Sequence, residues 1–168
     1  RQVKGSGDGA LRAILKNGEL VGTMIVSPPG CGKTTMLRDV ARQLSLQNIR
    51  VCVIDERSEL AACSQGIPQN ELGPCCDVLD GFAKSAGMMY AVRNLNPQVL
   101  VCDEIGSHED IDAILHAMNA GIPVVATAHA SAPDELLQRP RMEELLASGA
   151  VGKVIFLRRG ERPGQIQG

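Results

Sequence analysis

SPPGCGKTT, residues 27–35, follows directly on the apolar run Leu20-Val21-Gly22-Thr23-Met24-Ile25-Val26. After it, Leu37, Val40, Ala41 and Leu44 fall at i, i+3, i+4 and i+7, one face of a helix over 34–46. Strand, glycine-rich turn, helix is the setting in which a loop holds phosphate. Gly30 and Gly32 let the backbone turn so that successive N–H groups point inward as an anion nest. The helix start at Thr34 adds partial positive charge. The candidate nucleotide-binding residues are therefore Pro29, Gly30, Cys31, Gly32, Lys33, Thr34 and Thr35. Lys33 offers a full charge to the β and γ phosphates, the Thr34 hydroxyl is a candidate Mg²⁺ ligand, and Thr35 can reach a further phosphate oxygen. Ser27 stands where the usual pattern has glycine. That position is the hinge from strand into loop, outside the tight nest, and a small residue serves there if φ stays negative. A Gly/Pro-rich turn with a chance lysine is the competing reading, and the flanking strand and helix argue against it.

Working outward, short apolar runs alternate with helical patterns. Strands are expected over 20–26, 50–54, 98–102, 123–128 and 154–157. Residues 84–95 form a helix with Met88, Ala91, Val92 and Leu95 on one side. A second helix carries Ile111, Ile114, Leu115 and Met118 on its core face, started by a Ser107/Asp110 cap. Residues 131–147 are helical, broken at Pro140, and 64–82, rich in Gly, Pro and Asp, read as a long loop. The polar tail ends the last strand. The pattern implies an α/β fold with a mostly parallel sheet and helices on both faces.

With 168 residues the chain suits one domain with a proper core. One Tyr, two Phe and no Trp leave that core to aliphatic side chains and provide no stacking platform for single-stranded nucleic acid. The net charge of −2 gives no reason to expect nucleic acid either. None of the six cysteines has C-x-x-C spacing, which argues against zinc. They read as reduced thiols, with Cys52 and Cys102 as buried small hydrophobes. No apolar run approaches the roughly 20 residues needed to span a bilayer. The expected division is a linker or remnant of a missing N-terminal domain over 1–19, with Gly5–Gly9 as loop, and one domain over 20–168.

A loop that holds a triphosphate needs acidic partners at other strand ends. Val99-Leu100-Val101-Cys102-Asp103-Glu104 places Asp103 where ligands sit in open α/β sheets. Asp103 is the candidate to hold Mg²⁺ through its waters, and Glu104 to polarise the attacking water. The bland alternative is a solvated acidic pair capping a strand. Asp55, Glu56 and Glu59 could line the γ-phosphate side, although Glu59 could equally be a helix-surface charge. His129 follows the fourth strand, where a residue could sense the γ-phosphate, against the alternative of a structural histidine. His108 and His116 read as a loop or capping residue and a helix-face residue.

Together SPPGCGKTT, DERSEL, DVLDG, AKSAGMM, NPQVLVCDEIG and TAHA resemble the stage III sporulation AA family, within the secretion and type IV pilus ATPases of the RecA-like fold. The resemblance covers roughly residues 20–160. It implies a RecA-like P-loop NTPase core that hydrolyses ATP with Mg²⁺ and drives or gates a transenvelope channel in the mother cell. It also implies a homo-oligomeric, hexameric ring with sites near subunit boundaries. The ring would act from the cytoplasm, peripheral to the inner face of a membrane, with membrane components of the channel as partners and no direct insertion.

Carried over by position, Lys33 and Thr34 match the phosphate-loop pair, and Asp103 and Glu104 the strand-end acidic pair. Asp55-Glu56 with Glu59 matches the acidic box with its first two residues swapped, and His129 matches the box histidine. The resemblance makes Glu104, Glu56 and His129 the catalytic candidates and Thr34 with Asp103 the metal ligands. Two departures stand out. Cys75 and Cys76 occupy places where the family tends to have Arg-Thr, which leaves Arg57, Arg93, Arg139 and Arg141 as candidates for a trans-acting finger. The N-terminal domain that clamps nucleotide is mostly missing, which implies weak binding and slow turnover in isolation. Two other readings compete: a nucleotide-dependent assembly module with little turnover, and a nucleic-acid motor, for which the segment supplies no basic stripe.

Overall fold

The structure is a computed structural model and describes residues 4–158; the polar tail expected beyond them lies outside the described residues. Strands β3 (Thr23–Ser27), β4 (Val51–Asp55), β5 (Cys76–Asp80), β6 (Val99–Cys102), β7 (Val124–His129) and β8 (Lys153–Phe156) form one sheet, ordered β5-β4-β6-β7-β3-β8. Every neighbouring pair in it is parallel. All residues of β3, β4 and β6 are buried, as expected of strands covered on both faces.

Side-chain parity divides the core in two. Ile25, Val53, Val101 and Val125 point to one face, under α1 (Asp8–Ile14) and α2 (Lys33–Leu46), where Ala10, Ile14, Met36, Leu37, Val40 and Leu44 pack on them. Met24, Val26, Ile54, Leu100 and Ala126 point to the other, under α3 (Lys84–Asn94) and α4 (His108–Asn119). Each fully buried Leu, Ile or Met contributes roughly 1.5–3 kcal/mol, so both layers contribute to holding the sheet between them. Helix α4 begins with a reciprocal capping box between Ser107 and Asp110, as expected from their spacing.

Three segments differ from the sequence reading. The stretch expected as a long loop contains β5. It is an edge strand, bonded only to β4 and half exposed, so it lacks the apolar run that reveals a central strand. Of residues 1–19, expected as linker, those described hold α1 and, with Leu20, expected to open the first strand, a two-stranded hairpin, β1 (Leu15–Lys16) and β2 (Glu19–Leu20). Helix α1 is tied to α2 by the Gly7 N–H, which donates to Asp39 Oδ2 at 2.9 Å. Beyond β7 the chain forms α5 (Pro133–Leu137) and α6 (Met142–Ala147). The break spreads to both sides of Pro140, and Arg141 enters α6 from a left-handed φ of 60°.

The six cysteines are free thiols. Burial pushes Cys52 and Cys102 up to about 12, so both are protonated packing groups at neutral pH.

The far end of the sheet depends on one glycine. A Cβ at Gly22 would lie 1.9 Å from the Ala150 carbonyl oxygen, and the Gly22 carbonyl itself accepts the Gly152 N–H at 2.8 Å. Both obstacles are backbone and cannot turn aside. Gly22→Ala should therefore cost about 3 kcal/mol of unfolding free energy. Urea denaturation reads this as a lower midpoint; an unmoved midpoint contradicts the close approach.

Candidate phosphate-binding site

Strand parity also assembles the site. Ser27, Asp55, Thr127 and His129 follow Ile25, Val53 and Val125 at two-residue steps, and Asp103 follows Val101 just past β6. All therefore turn toward the α2 face at the carboxyl ends of the strands, the usual ligand edge of an open α/β sheet. Strand β7 lies between β3 and β6 and pairs Ser27 with His129.

The loop between β3 and α2 has left-handed backbone at Gly30 (φ 78°) and Gly32 (φ 82°), conformations that favour glycine. A Cβ at Gly30 would meet nothing within 4 Å, so the space above the turn is open. Pro29, Gly30, Gly32, Lys33, Thr34, Thr35, Glu104 and His129 line a cleft of about 340 Å³. Cys31 is 3% exposed and turns inward, so it can offer the cleft only its backbone N–H.

Lys33 is 5% exposed. Its Nζ donates to the Ser27 carbonyl (3.4 Å), the Ser27 hydroxyl (3.3 Å), the Pro28 carbonyl (3.5 Å) and His129 Nδ1 (2.9 Å). Burial lowers the pKa of this ammonium, and the carboxylates of Asp103 and Glu104 offset only part of that. Ser27 thus belongs to the lysine's socket; it keeps φ out of the left-handed region and its own hydroxyl donates to the Pro28 carbonyl at 2.8 Å.

His129 links the loop to the acidic pair. Because Lys33 can only donate, Nδ1 accepts; Nε2 then carries the ring proton and donates to Glu104 Oε1 at 2.5 Å. Arg57 Nη1 meets the other oxygen, Oε2, at 2.7 Å. Burial raises the Glu104 pKa, but the His129 hydrogen bond and the charges of Arg57 and Lys33 outweigh it and hold the carboxyl below its ordinary value. Glu104 has a left-handed φ of 47°, uncommon for a non-glycine residue and concentrated at functional sites. Its N–H donates to Thr127 Oγ1 (2.8 Å) and Asp103 Oδ1 (3.1 Å), which fixes that turn.

Thr127 is the residue the sequence reading missed. Fully buried, it also donates to Asp103 Oδ1 and so orients the aspartate from below. Its signal was available: it precedes His129 by two on the same strand face.

Thr34 Oγ1 donates to Asp103 Oδ2 at 2.8 Å. Hydroxyl and carboxylate are the hard oxygen donors that Mg²⁺ takes, with phosphate oxygens and waters completing its shell. Among the described residues no group of three or more His, Cys, Asp or Glu could hold a metal ion alone. The pair fits Mg²⁺.

The second acidic stretch is arranged differently. The Asp55 carboxylate accepts the N–H groups of Glu59 (3.0 Å), Leu60 (3.1 Å) and Ala61 (2.8 Å) and is 2% exposed, so it anchors a loop rather than facing phosphate. Glu56 pairs with Lys84 at 3.0 Å and lines a narrow crevice beside the cleft. Glu59 is exposed and lines the same crevice. Of the four arginines considered, Arg139 donates to the His129 carbonyl (3.2 Å) and Arg141 pairs with Asp112 and Glu144, both within this chain. Arg93 is exposed in the last turn of α3. His108 and His116 lie on α4, the former giving its carbonyl to Arg141.

A parallel sheet with a glycine-rich loop after one strand and an acidic pair after another, and a third strand between them, defines the RecA-like fold. The solved structures agree. The X-ray structure of the Legionella pneumophila ATPase DotB matches with TM-score 0.66 at 20% identity, covering 92% of this chain and 46% of that one. The pilus retraction motor PilT with bound ADP matches with TM-score 0.65 at 17% identity, covering 90% and 45%. At such identities the likeness speaks for the fold alone.

The family described as "Sporulation stage III, protein AA" matches residues 1–168. Stage III sporulation protein AA of Bacillus subtilis (strain 168) is 39% identical over 171 residues, which cover 99% of this chain and 55% of that protein. The chain therefore belongs to the sporulation stage III protein AA family. It spans about half the length of that relative.

Proposed function

We propose that the chain is the catalytic part of a Mg²⁺-dependent ATPase that powers or gates a secretion-like transenvelope channel during sporulation. It works as a homo-oligomeric, hexameric ring, held by membrane components at the cytoplasmic inner face of the mother-cell membrane. One observation carries the ATPase reading: Lys33, His129 and Glu104 form a continuous hydrogen-bonded line across the strand ends, beside the Thr34–Asp103 pair. Membership of the sporulation family and the likeness in fold to secretion and pilus ATPases support the wider role. Among the described residues no helix is long and apolar enough to cross a membrane.

The residues divide the work. The N–H groups of 30–35 and the Lys33 ammonium bind the phosphates, and leaving the His129 and Ser27 contacts for phosphate oxygens frees the ring's Nδ1. Thr34 and Asp103 would hold Mg²⁺, which supplies charge neutralisation to the β and γ phosphates. Glu104, held ionised, accepts a proton from the attacking water, and His129 reports phosphate occupancy to it through the ring. Glu56, among the catalytic candidates, sits one crevice away and acts on this site only if its pair with Lys84 opens.

Steady-state phosphate release by the full-length protein tests this. Release should require Mg²⁺ and stop on chelation; a rate no greater than that of buffer overturns it. A second reading, an ATP-dependent assembly module with little turnover, has one observation in its favour: both Glu104 oxygens are engaged, by His129 and by Arg57. ATP-dependent sedimentation without phosphate release would select it.

A further inference from the structure

We propose that Arg57 is a positioning residue for Glu104, acting from within the same chain rather than as a finger for a neighbour. This rests on the ATPase reading above. Three features carry it: the Arg57–Glu104 contact, the rigidity of the loop that bears Arg57, and the absence of Arg57 from the lining of the phosphate cleft.

Loop 56–61 is pinned on every side. Asp55 takes three of its N–H groups. From the opposite side Arg38, buried on α2, donates to the carbonyls of Leu60 (2.8 Å) and Glu59 (2.6 Å). Asn70 donates to the Leu60 carbonyl (2.9 Å), Ser58 to Asp80 (2.5 Å), and Lys84 pairs with Glu56 (3.0 Å). The loop is thus a platform fixed to α2, β4, β5 and α3, and Arg57 is the side chain it extends to Glu104. Its guanidinium meets Oε2 while His129 meets Oε1, so the carboxylate is gripped at both oxygens and cannot rotate freely. A general base gains from such fixing because misorientation wastes encounters with the water it must deprotonate.

The titratable groups around Glu104 are Lys33 from α2, Asp103 beside it, His129 from β7, and Arg57 with Asp55, Glu56, Glu59 and Lys84 around the crevice. Arg57 is a cation in direct contact with the carboxylate, so its loss leaves Oε2 free to turn about the remaining His129 contact. The Arg57 side chain is 63% exposed, so replacing it leaves the core untouched.

The test uses the ¹³C-carboxyl NMR resonance of Glu104 at neutral pH in the nucleotide-free protein, with Glu104→Gln assigning the resonance, together with steady-state kinetics. In Arg57→Gln the resonance should shift and broaden as the carboxylate gains motion, kcat should fall about tenfold, and KM for ATP should stay within about twofold. Arg57→Lys should bring the resonance back towards the wild type and restore most of kcat. A resonance that superimposes on the wild type in Arg57→Gln overturns the proposal, as does a raised KM with kcat unchanged. A shifted resonance in a protein without turnover counts for the grip of Arg57 on Glu104 and against the ATPase reading.

Discussion

Lys33→Ala will lower Mg²⁺-dependent ATP turnover by about a thousandfold and leave the protein folded. The residue carries the full positive charge within the cleft lining, and it is held in a low-dielectric socket where that charge acts strongly. The socket is built from carbonyls of Ser27 and Pro28 and from the His129 ring, all acceptors. Phosphate oxygens compete for the same ammonium, so binding exchanges one set of acceptors for a more charged one. Arginine is not a conservative replacement here, because its planar fork cannot fill a socket shaped for a point charge. Lys33→Arg should fall close to alanine in turnover. Phosphate release, with circular dichroism to confirm the fold, reads both variants; turnover within tenfold of the wild type would remove Lys33 from its role.

Glu104→Gln will lower turnover by about a hundred- to a thousandfold while ATP affinity is kept or rises. The amide has nearly the shape of the carboxylate but cannot accept a proton from water. Removing this charge also removes a carboxylate that competes with phosphate for the field of Lys33. Affinity and turnover should therefore separate, which is the signature of a base rather than a binding group. The acid limb gives a second check. Because the Glu104 pKa is depressed, activity should persist as pH falls below the ordinary carboxylate range, then be lost as the group protonates. Wild-type turnover in Glu104→Gln would place the base elsewhere, Glu56 being the first alternative.

The loop, the lysine and the strand-end pair were legible because each follows from local rules. Gly30 and Gly32 need left-handed backbone and have it. The buried strands read as apolar runs because the sheet is covered on both faces. Edge strand β5 was not legible: Cys76-Asp77-Val78-Leu79-Asp80 alternates only weakly and sits behind a Gly-Pro turn, and only the β4 partner makes it a strand. Helix α1 was hidden by Gly5, Gly7 and Gly9, which signal loop; its stability comes from packing on α2, a tertiary effect that no local pattern carries.

The same limit explains the acidic stretch. Asp55 and Asp103 both end strands of the same parity, yet one turns back to cap three N–H groups and the other faces Thr34. Sequence places both carboxylates at the right edge; only the path of the following loop separates the anchor from the candidate ligand. Arg57 shows the converse. Among four arginines considered for a neighbour's site, the structure brings this one to Glu104 of its own chain.

Calorimetric titration of the folded protein with ATP, in the presence and absence of Mg²⁺, tests the central claim most directly. The account predicts saturable binding that strengthens with Mg²⁺ and disappears in Lys33→Ala. Heats that do not saturate, or binding indifferent to both the metal and the lysine, would contradict it.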